Sequence, residues 1–234
     1  MNNNKKLAII LTILVGILNV GCKMSKEQQE TAMNDCFSNN DKNACQALID
    51  NGLASVKKCN EYNCLIIGAV YYKAEKYRVA ISYFEKTINL GDDRGYVALG
   101  EVYKELKDYF NAKKNYEIGC NKINKNQAVS CFNLALLYSE GQGVRQDQHK
   151  TYELYKKSCD MENAMACNNL GVLYSKGKGV KQNHSIAKQY YGKACDLGEQ
   201  TGCDNYKQQN EESVYEKWLK PFMEPLIESL ENLL

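Results

Sequence analysis

Residues 131–144, CFNLALLYSEGQGV, return 36 positions later at 167–180 as CNNLGVLYSKGKGV, and the leading cysteine returns once more after the same interval as Cys203. A spacing kept over so many landmarks marks an array of one repeated structural unit rather than a single irregular core. A second cysteine series keeps the same step, from Cys159 to Cys195. Within the units, Leu134, Leu137 and Tyr138, then Leu170, Leu173 and Tyr174, fall at the three- and four-residue spacing that stripes one face of a helix. Gly141 and Gly177 follow as residues able to take the left-handed conformation that stops a helix, and Gly143 and Gly179 turn the chain back. A second helix then runs through Tyr155 or Tyr191 to the next cysteine.

Towards the N-terminus the plan persists in shorter form. Cys64, Ile67, Gly68 and Tyr71 match Cys167, Leu170, Gly171 and Tyr174 in spacing, as do Tyr96, Leu99, Gly100 and Tyr103. The shortening lies in the inner turn: Tyr71 to Ala80 and Tyr103 to Ala112 span 9 positions, whereas Tyr174 to Ala187 spans 13. A still shorter unit begins near Cys45 and Leu48. With two prolines in 234 residues and little alternation of apolar with polar residues, the expected fold class is all-α.

The chain has 11 cysteines. Apart from Cys22 they fall in neighbouring pairs: Cys36 with Cys45, Cys59 with Cys64, Cys120 with Cys131, Cys159 with Cys167, and Cys195 with Cys203. Most pairs straddle the turn from one unit to the next, where two helix ends can bring α-carbons to the roughly 5.5–6 Å a disulfide takes. Where a pair should recur, the sequence has Ile88 and Tyr96, so an apolar contact is expected in its place. Metal binding competes as a reading of so many cysteines, but no C-x-x-C spacing occurs, and neither a metal nor a cofactor is expected.

Residues 1–21 have the layout of an export signal: Lys5 and Lys6, an apolar stretch from Leu7 to Val20, then Gly21 before Cys22. This leader implies an oxidising compartment. Its end resembles a bacterial lipoprotein cleavage site, which implies a lipid on Cys22, contact with a membrane through that lipid, and a place in the periplasm or outer membrane, or secretion. Losing Lys5 and Lys6 from 30 basic residues balances the chain against its 28 acidic ones, so nothing gathers nucleic acid. Residues 22–35 are expected to form a tether or first helix, 36–205 the repeats, and 206–234 the capping helices.

With its 36-residue period, Leu-Gly-x-x-Tyr step, Gly-x-Gly-Val turns and cysteine pairs across successive units, the segment 36–205 resembles the Sel-one-like repeat proteins. Within them it is similar to the Helicobacter cysteine-rich protein family. The shorter units, such as Tyr71 to Phe84, are similar to tetratricopeptide repeats. The resemblance implies a right-handed superhelix of disulfide-linked helix pairs that holds a protein or peptide partner on its concave side without catalysis. Because some cysteine-rich members are described as penicillin-binding proteins or slow beta-lactamases, it also implies an enzymatic alternative, and recognition of cell-wall fragments is a third. Tetratricopeptide-like packing implies ligand-facing residues at Tyr62, Leu65 and Ala69; Arg94, Val97 and Glu101; Val129, Phe132 and Leu136; and Met165, Asn168 and Val172. Such a face suits an extended partner with apolar side chains.

Asn133, Asn169 and Asn205 recur two residues after their cysteines, either as a ladder of amide donors for a ligand or, as the tetratricopeptide likeness favours, for structure. For the enzymatic alternative, Ser55, Ser175 and Ser185 each open an S-x-x-K, but no S-D-N or K-T-G accompanies them. His149 and His184 sit just past Gly-x-Gly turns, where a helix start accounts for them. From Glu211 onward, Trp218, Pro221 and the stripe Phe222, Leu226, Ile227, Leu230 and Leu234 read as the cap that a repeat stack needs. Glu224, Glu228 and Glu231 there oppose anionic lipid, and residues 221–234 offer a surface for self-association.

Overall fold

The computed structural model describes residues 25–51, 59, 61–122, 126–214, 219–220 and 223–224. Among the described residues there are eleven helices and no strand: α1 (Lys26–Phe37), α2 (Lys42–Asn51), α3 (Glu61–Lys73), α4 (Tyr77–Asn89), α5 (Arg94–Glu105), α6 (Tyr109–Asn121), α7 (Gln127–Glu140), α8 (Gln148–Asp160), α9 (Ala164–Lys176), α10 (His184–Asp196) and α11 (Gln200–Val214). They divide into two compact units, Met1–Asn126 and Gln127–Leu234.

In the first unit α3 pairs with α4 and α5 with α6, α4 packs on α5, and α3 reaches α5 beyond it. The second unit repeats the scheme, with α7 on α8, α9 on α10, and α11 against both α10 and α9. Each helix meets only its near neighbours in sequence, which is how a stack of repeats closes its core. That core is the set of striped residues: Leu48, Ile67, Val70, Phe84 and Val102 in the first unit, Leu170, Leu173 and Tyr155 in the second.

Starts and stops are written locally. Ser25 opens α1 with a capping box completed by Gln28. Asp108, Asp147, Asn163 and Asn183 each accept a backbone N–H in the first turn of α6, α8, α9 and α10. At the other end, the Gln146 and Gln182 side-chain amides donate to the Ser139 and Ser175 carbonyls at 2.7 and 2.8 Å, satisfying groups the helix leaves open. Gly141, Gly143, Gly177 and Gly179 are left-handed, with φ of 71°, 66°, 65° and 70°. Gly179 is also needed for space, since a Cβ there would stand 2.5 Å from the Gln148 carbonyl oxygen at the start of the preceding second helix. In the shorter units Glu75 and Lys107 hold the left-handed position instead.

The glycine of the Leu-Gly-x-x-Tyr step has a packing role. A Cβ on Gly68 would lie 2.5 Å from the Phe84 ring, and one on Gly100 or Gly171 would collide with the ring of Tyr116 or Tyr191. The first helix of each of these hairpins thus seats an aromatic ring of its second helix directly on backbone.

Four bridges sit at the joints. Cys36–Cys45, Cys59–Cys64, Cys159–Cys167 and Cys195–Cys203 have α-carbons 4.8, 5.2, 4.8 and 4.5 Å apart, closer than expected and within the range disulfides accept. Cys120 and Cys131 are disulfide-bonded as well. At the joint that lacks cysteines, Ile88 rests on Gly95, where a Cβ would come within 2.6 Å of it, while the Tyr96 ring lies under the Lys122 ammonium at 5.7 Å. Helix α11 runs unbroken through the expected boundary at 205/206, because nothing between Gln200 and Val214 breaks it. The export segment with Cys22, Ser55, and the cap residues Trp218, Pro221, Phe222, Leu226, Ile227, Leu230 and Leu234 lie outside the described residues.

Replacing Gly171 by Ala is expected to lower stability by about 1–3 kcal/mol, through overpacking against Tyr191. Denaturant unfolding of the oxidised protein measures it, and an unchanged midpoint would contradict the seat. Replacing Cys159 and Cys167 together by Ser is expected to cost about 2–3 kcal/mol by the loop-entropy estimate.

Candidate binding surface

The residues marked as ligand-facing all lie on the first helix of a hairpin, and the side chains divide into two sets. In the first unit Leu65 and Ala69 on α3, and Arg94, Val97 and Glu101 on α5, are half-buried. Of Tyr62 only its place on α3 is described. In the second unit Val129 and Met165 are exposed, at 38% and 49%, while Leu136 and Val172 are half-buried. Phe132 and Asn168 are committed to the interior. The Phe132 ring packs at 5.8 Å on that of Tyr155, and Asn168 accepts from the Asn205 amide at 2.8 Å. Arg94 turns back onto Asp92, with its Nε 2.8 Å from Oδ2. What remains at least partly open is Leu65, Ala69, Val97 and Glu101 in the first unit and, separately, Val129, Leu136, Met165 and Val172 in the second.

The recurring asparagines have a structural explanation. The buried Tyr155 hydroxyl on α8 is hydrogen-bonded to Asn169 on the following first helix and to Ser139. Sequence carries the same logic at the neighbouring repeat, where Tyr191 is followed by Asn205 at the same spacing, whereas Phe84, with no hydroxyl, is followed by Ala98 at that position. A buried phenol needs a partner, and asparagine supplies one.

Tyrosines also pair at equivalent places, which the sequence reading did not single out. Tyr71 stacks on Tyr83 at 5.6 Å, and Tyr174 on Tyr190 at 5.7 Å, both with an 11° interplanar angle. Tyr174 also shares a 3.2 Å hydrogen bond with the Tyr152 hydroxyl. That bond, then burial, pushes the Tyr174 phenol up to about 12. Burial foremost, with the Glu105 and Glu101 charges adding to it, brings Tyr72 to about 12, and burial brings Tyr155 there against its hydrogen bonds.

The remaining chemical candidates sit at helix ends. His184 is the first residue of α10, and His149, in the first turn of α8, faces Glu153 at 3.6 Å. Ser185 is exposed on the first turn of α10, and Ser175 lies near the end of α9. Among the described residues no cluster of His, Cys, Asp and Glu has the arrangement of a metal site, and no helix is long and apolar enough to cross a membrane.

Comparison with known proteins finds the repeat in the sequence and the fold. The Sel1 repeat family matches residues 71–92, 128–163 and 164–199. A curated relative, the ERAD-associated E3 ubiquitin-protein ligase component HRD3 of Candida glabrata, is 29% identical over 75 residues, which are 32% of this chain and 9% of that protein. The chain therefore matches only about a tenth of that relative's length. A protective antigen of uropathogenic Escherichia coli with an SLR fold aligns over 88% of this chain and 49% of its own, at 19% identity and a TM-score of 0.53. Helicobacter pylori cysteine-rich protein B aligns over 56% of this chain and 94% of its own, at 27% identity and a TM-score of 0.41.

Two measurements follow. Changing Asn169 to Ala is expected to cost about 1–2 kcal/mol in wild-type protein and clearly less when Tyr155 is already Phe, because the orphaned hydroxyl is then gone. In an alkaline titration a set of tyrosines should ionise near 12 rather than 10. The folded state favours their neutral form, so stability is full below about 10 and falls as pH climbs through about 12. Ionisation of every tyrosine near 10 in the folded protein would contradict the burial.

Proposed function

We propose that this chain, which carries Sel1 repeats, is a non-catalytic adaptor that works outside the cytoplasm and holds an extended protein or peptide segment against the first helices of its repeats. The observation that carries this reading is the state of Val129 and Met165. These two apolar side chains stand open to solvent at the same position of successive repeats, two residues before the cysteine, while the residue that follows each, Ser130 or Ala166, has no exposed surface. Apolar groups repeated in the open on a regular scaffold have a use in recognition. Disulfides at the joints support the same reading, since a surface rigid before binding loses less entropy on capture of a partner. They also fit an oxidising compartment, where a lipid on Cys22 would tether the chain to a membrane. The name of the Candida glabrata relative, a component of a ubiquitin-protein ligase, is consistent with a protein partner.

The test is affinity capture from envelope extract with the mature oxidised protein, compared with a variant carrying Val129→Asp and Met165→Asp. Both sites are exposed, so the variant should fold with an unchanged melting temperature. One partner recovered by the wild type and lost by the variant is the expected result. Equal recovery by both would move the binding surface elsewhere, and nitrocefin turnover abolished by Ser175→Ala or Ser185→Ala would replace this reading with the enzymatic one.

A further inference from the structure

Ala80, Ala112, Thr151 and Ala187 hold the same buried place in the second helix of successive hairpins, and two residues before them stand Arg78, Phe110, His149 and Ser185. All four of these are exposed. Three are polar, as such a position allows. Phe110, near the start of α6, instead leaves 75% of its surface in solvent. A second position behaves alike: three residues after the tyrosine of each first helix come Ala74, Gly141 and Gly177, but after α5 comes Leu106, which is 47% exposed. The other hairpins close without a large apolar side chain at either place, so packing of the hairpin does not account for these two.

Both residues sit at one end of the α5–α6 hairpin, on either side of Lys107 and Asp108. The backbone there is already satisfied, with the N–H groups of Leu106, Lys107 and Asp108 donating to the carbonyls of Val102, Lys104 and Tyr103 at 3.0, 2.9 and 2.8 Å. A turn bonded in this way can leave water without stranding those donors. The charges around it are mostly positive: Lys104, Lys107, Lys113 and Lys114 against Glu105 and Asp108. Asp108 is engaged by the backbone N–H and side-chain amide of Asn111 at 3.1 and 2.7 Å, and Lys113 pairs with Glu117 at 3.5 Å. Lys107 and Lys114 are exposed, and among the described residues neither pairs with an acid. Tyr109, half-buried, precedes Phe110. Phenyl and isobutyl groups at a tip, a phenol beside them and free ammonium groups around them match the layers of a phospholipid surface, from acyl boundary to headgroup phosphate. Lysines in this number also favour an anionic lipid surface over a second copy of the same tip, which would bring like charges together.

We propose that the tip of the α5–α6 hairpin, through Leu106, Phe110 and the lysines around them, rests on an anionic phospholipid surface. The whole contact lies within the first unit. It is separate from the lipid proposed on Cys22 and from the partner-binding surface at Val129 and Met165. A lipid at one point of the chain limits only its distance from the membrane, whereas a second contact also limits which side faces it.

The test is co-sedimentation of the mature oxidised protein, carrying Cys22→Ser so that no lipid contributes, with two kinds of vesicle. One is phosphatidylcholine alone, the other equal parts of phosphatidylcholine and phosphatidylglycerol. Binding to the anionic vesicles should be about tenfold stronger than to the neutral ones and should weaken with salt. Phe110→Ser should lower it about tenfold, Phe110→Trp should keep it, and Lys107→Gln with Lys114→Gln should erase most of the preference for anionic lipid. These sites are exposed, so circular dichroism and the melting temperature should not change. The variant with Val129→Asp and Met165→Asp should bind vesicles as the wild type does. Absence of binding to anionic vesicles, or binding that Phe110→Ser leaves intact, would overturn the membrane contact and leave the adaptor reading standing. A concentration-dependent dimer that Phe110→Ser dissolves would overturn it as well, by placing a second copy on the tip.

Discussion

The structure depends on the joint where the second helix of one repeat hands over to the first helix of the next. Two helix ends must approach closely there with few residues between them, and at most joints the protein holds them by a covalent bond. The bridges close loops of only 5, 8 or 9 positions in sequence. Each restricts the unfolded chain modestly while fixing the local angle between successive repeats. In several repeats the residue before the cysteine position is small and packs close to the preceding helix. Gly202 lies against Ala194, Gly95 against Ile88, and Ala166 has no exposed surface. Small residue, cysteine and the glycine four positions on together define how one repeat sits on another.

From that joint the rest of the repeat follows by packing. The glycine four residues after the cysteine accepts an aromatic ring from the second helix of its own hairpin, and Asn169, two residues after its cysteine, answers the hydroxyl of Tyr155 in the preceding hairpin. Where the ring is Phe84 the asparagine is replaced by Ala98. Covalent and non-covalent parts of the motif are thus coupled, and a change at one position alters the fit of the others.

Much of this was legible in the residues alone. The 36-residue period placed the helices because cysteine, glycine and tyrosine are tied to fixed places in the hairpin, and the neighbouring cysteines paired because helix ends meet only at the joints. Less legible was which way a given side chain turns. Phe132 and Asn168 lie at the same helical position as Leu65 and Val97, yet one packs on Tyr155 and the other accepts from Asn205. Period fixes an angular position, whereas burial depends on the size and polarity of whatever faces it. The stacked tyrosine pairs depend on contacts between helices and leave no mark in spacing.

The most direct measurement is mass-spectrometric mapping of the mature, unreduced protein after alkylation of any free thiols. The expected result is no alkylated cysteine in the repeats and linked peptides joining only neighbours: Cys36 with Cys45, Cys59 with Cys64, Cys120 with Cys131, Cys159 with Cys167, and Cys195 with Cys203. Free thiols at these positions, or links that skip a repeat, would contradict the covalent joint on which the fold is built.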